Sequence, residues 1–417
     1  MKKIAFYTLG CKVNQYETDA MKQMFSKKGY EIVDFLSLAD IYIINTCTVT
    51  AMSDKKSRQM INRAKRTNKE AKVIITGCMA EELKQQKTIL DGVDLIVGNE
   101  DRKNIVEIIE DTFNESIDVN TCKEFWEAGN VLSNERTRAY IKIEDGCNNF
   151  CTYCIIPYVR GRVRSRDINN IVEEVKSVIE KGVKEVVIIG IHIASYGKDL
   201  SGVTLTDVVE RIDALDGDFR IRLGSIEPVY INEETVDRLK KCVKLCKHFH
   251  LSIQSLNNET LKRMNRHYTV EELRDKIKLL RDNFTDVAIT TDIIVGFPGE
   301  TEEEFNSTYE ALKEFNLSKI HVFPYSVRRG TVAEKMEGQI SEETKDIRAA
   351  KLIELTNFQE NEFKKRFLGK LMKVILEHRE KDGFKIGHNE QYVDVLVDAD
   401  DKDVVEVVGT IENLQIR

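Results

Sequence analysis

The chain has no apolar run long enough to cross a membrane. Its longest, Val186–Ile191, is strand-sized, against the roughly 20 residues a spanning helix needs. The start loosely mimics a signal peptide but reads better as a buried first strand: the apolar stretch after Lys3 is short, runs into Thr8 and Lys12, and offers no small-residue cleavage site. Low-complexity tracts and solenoid-period repeats are missing, which excludes fibrous and solenoid architectures. Basic charge is not in excess. Lys and Arg number 63 against 70 Asp and Glu, a net charge of −7, so any RNA contact must come from local patches. The nine cysteines cannot all pair. In a long chain without a secretion signal, a disulfide framework gives way to metal binding or catalysis. These absences point to the cytoplasm and away from membranes and DNA as partners.

What is present is a 417-residue globular composition, 41% hydrophobic and 32% charged. That suffices for two or three domains with sizeable cores. Over residues 1–120, apolar runs at 3–8, 41–45, 73–76 and 95–97 alternate with helical stretches at 15–27, 53–66, 80–86 and 103–113. Such alternation predicts an open parallel α/β sheet with helices on both faces. Residues 115–136 read as a polar linker. From 137 onward the alternation repeats about six times, with strands at 139–144, 185–190, 220–223, 250–254, 287–294 and 319–323. Six parallel units predict a barrel, complete or open. A polar helix over 342–367 leads to short alternating strands at 372–377, 392–397 and 404–411, with a hairpin turn at Lys381-Asp382-Gly383. The expected domains are 1–120, 137–367 and 368–417, the last a small all-β module.

The chemistry concentrates in the cysteines. Cys147, Cys151 and Cys154 form C-x3-C-x2-C on a loop after the first strand of the second region. Three thiolates on one tight loop can hold three irons of a [4Fe–4S] cluster and leave the fourth iron open to a substrate. Barrel active sites lie at that carboxyl end. Zinc wants four ligands, and no fourth lies nearby. Cys11, Cys47 and Cys78 are far apart in sequence, but each falls just past a candidate strand. In an open α/β sheet those ends share one edge, where ligands bind. Gly10 and Gly77 precede two of them and leave room for a bulky group beside the backbone. This placement suits a second cluster, or three ordinary buried cysteines. Cys242 and Cys246, spaced i, i+4 on an expected helix, read as core filling. Cys122 has no visible partner.

Two basic stretches flank the cysteines. Lys55, Lys56 and Arg58, with Arg63, Lys65 and Arg66, follow Cys47. Arg160, Arg162, Arg164 and Arg166 alternate after Cys154. Both suit phosphates, and the first equally suits a solvated helix face. The segment 369–417 is acidic, with 7 Lys and Arg against 11 Asp and Glu, an awkward partner for RNA.

The C-x3-C-x2-C loop, with Tyr153 before its last cysteine, resembles the radical S-adenosylmethionine (SAM) superfamily. With Cys11, Cys47 and Cys78 upstream and the β-rich tail, the whole chain is similar to the methylthiotransferase family. The stretch from Thr8 to Thr18, Gly190-Ile191-His192, Phe297-Pro298-Gly299-Glu300-Thr301 and Phe323-Pro324-Tyr325-Ser326 look like its threonylcarbamoyladenosine branch. The resemblance implies a partial (β/α)6 radical SAM barrel between an N-terminal methylthiotransferase domain and a TRAM-like barrel. It implies a SAM-cleaving cluster on Cys147, Cys151 and Cys154 and an auxiliary cluster on Cys11, Cys47 and Cys78. One electron from a reductant would cleave SAM to a 5′-deoxyadenosyl radical. That radical would take hydrogen from C2 of N6-threonylcarbamoyladenosine (t6A) at position 37, in the tRNA anticodon loop. The auxiliary cluster would present a methylated sulfur to that carbon. Tyr153, Gly190, Gln254, Gly296 and Pro298 would then meet SAM, unless the last four are routine strand-to-helix turns. His192 and His321, near strand ends, read as structural. Sister branches act on isopentenyladenosine or a ribosomal protein. A non-catalytic iron–sulfur carrier is the reading from another class.

Overall fold

The computed structural model describes residues 2–86, 88, 90–112, 137–398 and 403–416. The expected linker and Cys122 lie outside them. In the first region, Ile41–Thr46 is buried along its whole length, because both faces of its sheet are covered. Five parallel strands run in the order Glu31–Val33, Lys3–Thr8, Ile41–Thr46, Lys72–Gly77, Leu95–Ile96. Side chains alternate across a strand. Ile4, Ile43 and Ile74 therefore meet Met21 and Phe25 of the helix Lys12–Lys27 and Ile105 of Ile105–Thr112. Tyr42, Ile44 and Ile75 meet Ile61 and Ala64 of Ala51–Thr67 and Leu83 of Cys78–Gln85. The edge strand Glu31–Val33 was not expected. Three residues are too few for alternation to show.

Six strand–helix units follow. Arg138–Lys142, Glu185–Ile189 and Arg220–Leu223 pair in parallel. Beyond Gly224 the third strand continues as Ser225–Ile226, which pairs with His248–Gln254; Ala288–Val295 and Lys319–Pro324 join in turn. Among the described residues, the first and last of these strands do not pair with each other. Capping boxes at Thr204/Asp207, Thr269/Glu272 and Thr301/Glu304 start three of the intervening helices. Each satisfies orphan backbone donors at a helix start. The largest core packs the strands, through Ile188, Ile221, Leu251 and Ile289, against Val175, Val208, Ile277 and Leu312 of the helices. The helix Glu342–Lys365 lies along the last strand, where Thr356 Oγ1 accepts from Ile320 N at 2.8 Å. Cys242 and Cys246 do not share a helix: Glu233–Leu239 ends before them, and both are buried in the turns that follow.

The tail forms an antiparallel sheet in the order Asp394–Val397, Phe384–His388, Leu371–Lys381, Val404–Val408. Asp382 and Gly383 both have positive φ, 52° and 83°, which makes the tight primed turn that matches strand twist. Arg222 docks this sheet on the parallel strands by donating to the carbonyls of Asn389 (3.2 Å) and Glu390 (3.1 Å). Glu185, fully buried beneath it, accepts from Arg220 (2.6 Å) and Arg222 (2.8 Å) and faces His388 at 3.3 Å. No helix among the described residues is long and apolar enough to cross a membrane.

Candidate functional site

The loop from Cys147 to Cys154 is closed by backbone that only glycine allows. Gly146 has φ 84°, and a Cβ there would stand 2.0 Å from the Arg162 carbonyl oxygen. Cys147 N donates to the Gly161 carbonyl at 3.1 Å, and Thr152 N donates to the Met264 carbonyl at 3.1 Å. The Cys147 thiol accepts from Asn149 N at 3.5 Å, and the Cys151 thiol from Arg266 Nη1 at 3.2 Å. Burial pushes the Cys147 thiol up to about 11 and the Cys154 thiol up to about 12. Metal coordination deprotonates such thiols outright. Three cysteines on one pinned loop, with N–H donors and the Arg266 cation aimed at the sulfurs, fit an iron–sulfur cluster.

Around the loop lies a polar shell that the sequence reading missed. Glu227 accepts from Asn149 Nδ2 at 2.9 Å, faces His192 Nε2 at 2.8 Å and pairs with Arg266 at 3.3 Å. Burial works against its charge, but His192, Arg266 and Asn149 hold it down at about 2. Glu144 goes the other way: burial, with the neighbouring Asp145, pushes it up to about 8. One of its oxygens accepts from His192 N at 2.7 Å, and the other has no protein partner. Gly190 lies against it, since a Cβ there would be 2.7 Å from Glu144 Oε2. The orphaned oxygen is the other one, so Gly190 is bare because Glu144 packs against it. Nothing in the spacing of 144, 192, 227 and 266 links them. Three different strand ends and the loop after the helix Asn258–Arg263 bring them together.

Cys11, Cys47 and Cys78 meet at the carboxyl edge of the first sheet. The register pairs Thr8 with Asn45 and Thr46 with Gly77. A Cβ on Gly10 would stand 2.7 Å from Cys47 Cβ, and one on Gly77 would stand 2.3 Å from the Thr46 carbonyl oxygen. Burial pushes the Cys78 thiol up to about 11, and negative charge on Cys47 or Cys11 would add to the rise. This set abuts the segment that follows the other one: Cys78 packs on Ile155 and Val159, just past Cys154.

The arginine series divides. Arg160, expected on phosphate, is buried at 3% exposure. It bonds Glu17 Oε1 (3.0 Å), Asp145 Oδ1 (3.1 Å) and Asn14 Oδ1 (2.8 Å). Burial alone would raise Glu17. Arg102, Arg160 and Lys142 overcome it and hold that carboxylate well below its usual range. Arg166 is likewise buried and paired with Glu174. Both were misread because buried carboxylates, distant in sequence for Arg160, take the charges that phosphates would. Arg162 is exposed and lies over the Phe150 ring at 4.4 Å, while Arg164 is partly exposed and donates to the Arg160 carbonyl at 3.0 Å. Lys55, Lys56 and Arg58 are exposed on the helix Ala51–Thr67.

A cavity of about 570 Å³ opens where the three regions meet. Cys11 and Lys12 line it from the first sheet, Gly190 and Asp292 from the parallel strands, and Tyr392 and Asp394 from the tail. Tyr153, Gln254, Gly296 and Pro298 do not line it. Tyr153 lies edge-on to Phe297 with ring centroids 6.4 Å apart. Gln254 ends its strand with φ 72°. Pro298 is buried, and Gly296 is closed off by the last helix, where a Cβ would be 2.3 Å from Lys345 Cγ.

Residues 141–312 match the model of the radical SAM superfamily, and residues 3–98 match that of the uncharacterized protein family UPF0004. Two relatives are named threonylcarbamoyladenosine tRNA methylthiotransferase MtaB. The Bacillus subtilis protein is 39% identical, with 100% of this chain and 94% of the relative aligned. The Aquifex aeolicus protein is 40% identical over 90% of this chain and 92% of the relative. The chain belongs to the radical SAM methylthiotransferases. A Clostridium botulinum relative, named tRNA-2-methylthio-N(6)-dimethylallyladenosine synthase, is 35% identical over 90% of this chain and 86% of its own length. Among solved structures, the radical SAM methyltransferase TsrM of Kitasatospora setae aligns with a TM-score of 0.57 at 13% identity, over 78% of this chain and 75% of that one. That likeness shows the fold. Superfamily membership implies SAM and a [4Fe–4S] cluster.

Proposed function

We propose that this enzyme methylthiolates C2 of t6A at position 37 of tRNA in the cytoplasm, using SAM and two [4Fe–4S] clusters. The observation that carries the reading is the pair of three-cysteine sets brought into one neighbourhood where Cys78 packs on Ile155 and Val159. The full-length similarity to proteins named for threonylcarbamoyladenosine supports the substrate. Cys147, Cys151 and Cys154 would hold the SAM-cleaving cluster, and Cys11, Cys47 and Cys78 the auxiliary one. Bound there, the clusters and SAM supply the one-electron cleavage and the sulfur. The chain positions, neutralises and excludes water. Glu227 fixes Asn149 and Arg266 against the cluster loop. The Glu17–Arg160–Asp145 network ties the two cysteine sets into one rigid edge.

The six parallel strands read as an open (β/α)6 barrel and the tail as a TRAM-like barrel, with domains 1–120, 137–367 and 368–417. A one-electron reductant completes the partners. Arg162, stacked on Phe150, and the exposed Lys55, Lys56 and Arg58 are the basic groups offered to the anticodon arm. Mass spectrometry of tRNA from cells with and without the gene tests the substrate. Loss of 2-methylthio-t6A on deletion supports it, and its persistence in a host lacking a second such enzyme refutes it. Iron counting on reconstituted protein tests the clusters. A C11A/C47A/C78A variant should hold about four irons where the unmodified chain holds about eight.

A further inference from the structure

Two charged side chains lining the central cavity, Lys12 and Asp394, make no ion pair among the described residues. Arg222 is held by Glu185 and two tail carbonyls. Lys319 and Lys364 share Glu360 at 3.1 and 3.0 Å, and Asp292 faces His250 at 3.2 Å. Lys12 makes no ion pair among the described residues, and its one close aromatic neighbour is the Tyr140 ring, 6.0 Å away. Arg138 and Arg222 repel it, and the carboxylate that attracts it, Glu185, is already shared by Arg220, Arg222 and His388. A cation kept among cations at a cavity wall is stabilised by an anion that enters the cavity.

We infer that Lys12 is the specificity residue for the acidic N6 substituent, its ammonium pairing with the carboxylate of the threonylcarbamoyl group. The inference rests on the t6A reading of the substrate. Covalent geometry supports the placement. In adenine, C2 and the carbon bearing N6 flank the same ring nitrogen. A group that receives the N6 substituent must therefore stand close to the sulfur delivered at C2. Lys12 follows Cys11, the cavity-lining member of the auxiliary set. Asp394, the other unpaired lining charge, repels a carboxylate and leaves Lys12 as its receptor.

The test compares anticodon stem-loops carrying t6A or its methyl ester, which keeps the shape and removes the charge. Reconstituted unmodified enzyme should bind the acid about ten- to a hundredfold tighter than the ester, the range of one charge-assisted hydrogen bond. K12Q should bind both as weakly as the unmodified enzyme binds the ester. K12R should keep most of the preference. Binding is read by fluorescence anisotropy without reductant, and methylthiolation by mass spectrometry of the product. Equal affinity of the unmodified enzyme for acid and ester overturns the inference even if no variant folds. So does a K12Q enzyme that keeps its iron and still prefers the acid. The t6A reading fails separately, if the unmodified enzyme leaves t6A stem-loops unmethylthiolated and modifies isopentenyladenosine ones.

Discussion

Replacing Arg160 with alanine separates a structural arginine from an RNA-binding one. The side chain is buried and donates to Glu17, Asp145 and Asn14 at 2.8–3.1 Å. Its removal leaves two carboxylates, fully or nearly out of water, with Arg102, Lys142 and Arg164 as their remaining cations. Breaking one partner of a buried ion pair costs about 3–5 kcal/mol. The surviving cations bring the expectation to the lower end, about 3 kcal/mol. The assay is urea denaturation of the cluster-free protein followed by circular dichroism, so that Cys78, beside Arg160, contributes no iron-dependent stability. Two regions share this network, so the midpoint of the first transition is the quantity to compare. Arg162→Ala is the control. It is exposed over Phe150, so its stability should stay within about 0.5 kcal/mol, while stem-loop affinity falls and the salt slope drops by about 1. The reasoning is refuted if R160A unfolds at the unmodified midpoint and instead loses RNA affinity with a smaller salt slope.

Three further outcomes follow from the geometry. Gly146→Ala places a methyl 2.0 Å from the Arg162 carbonyl at φ 84°; the loop cannot close, and about four irons per chain and 5′-deoxyadenosine release should be lost together. Glu185→Gln removes the buried carboxylate under Arg220, Arg222 and His388, and should cost about 3–5 kcal/mol and expose the tail to limited proteolysis. Although burial would raise Glu185, Arg222, His388 and Arg220 hold its pKa well below 4.5. Its contribution is therefore complete above the unfolded carboxyl pKa and is lost as the pH falls through the lower folded value. The acid limb of stability should be flatter in E185Q. Gly383→Val in the primed turn, at φ 83°, should destabilise the tail hairpin by about 1–2 kcal/mol, read as a lower denaturation midpoint.

Strand–helix alternation was legible because period-2 and period-3.6 burial are local. Ile41–Thr46 and Arg220–Leu223 fall where their apolar runs stand. The three-residue edge strand Glu31–Val33 was not, since too few residues carry the period, and neither was Phe384–His388, whose Gly387 and lysine break the apolar alternation. The C-x3-C-x2-C loop was legible because its ligands share one turn. The meeting of Cys11, Cys47 and Cys78 was inferred only as three strand ends on one edge, and the parallel register brings them side by side.

The arginines mark the boundary between the two sources. Sequence by itself determined which residues are charged, where the strands alternate and which cysteines share a loop, because these depend on neighbours along the chain. Tertiary structure decided that Arg160 answers to Glu17, that Arg162 stays in solvent and that Lys12 reaches a cavity without an ion partner. The pairing of Arg160 depends on Glu17, more than a hundred residues away, and no local pattern encodes that distance.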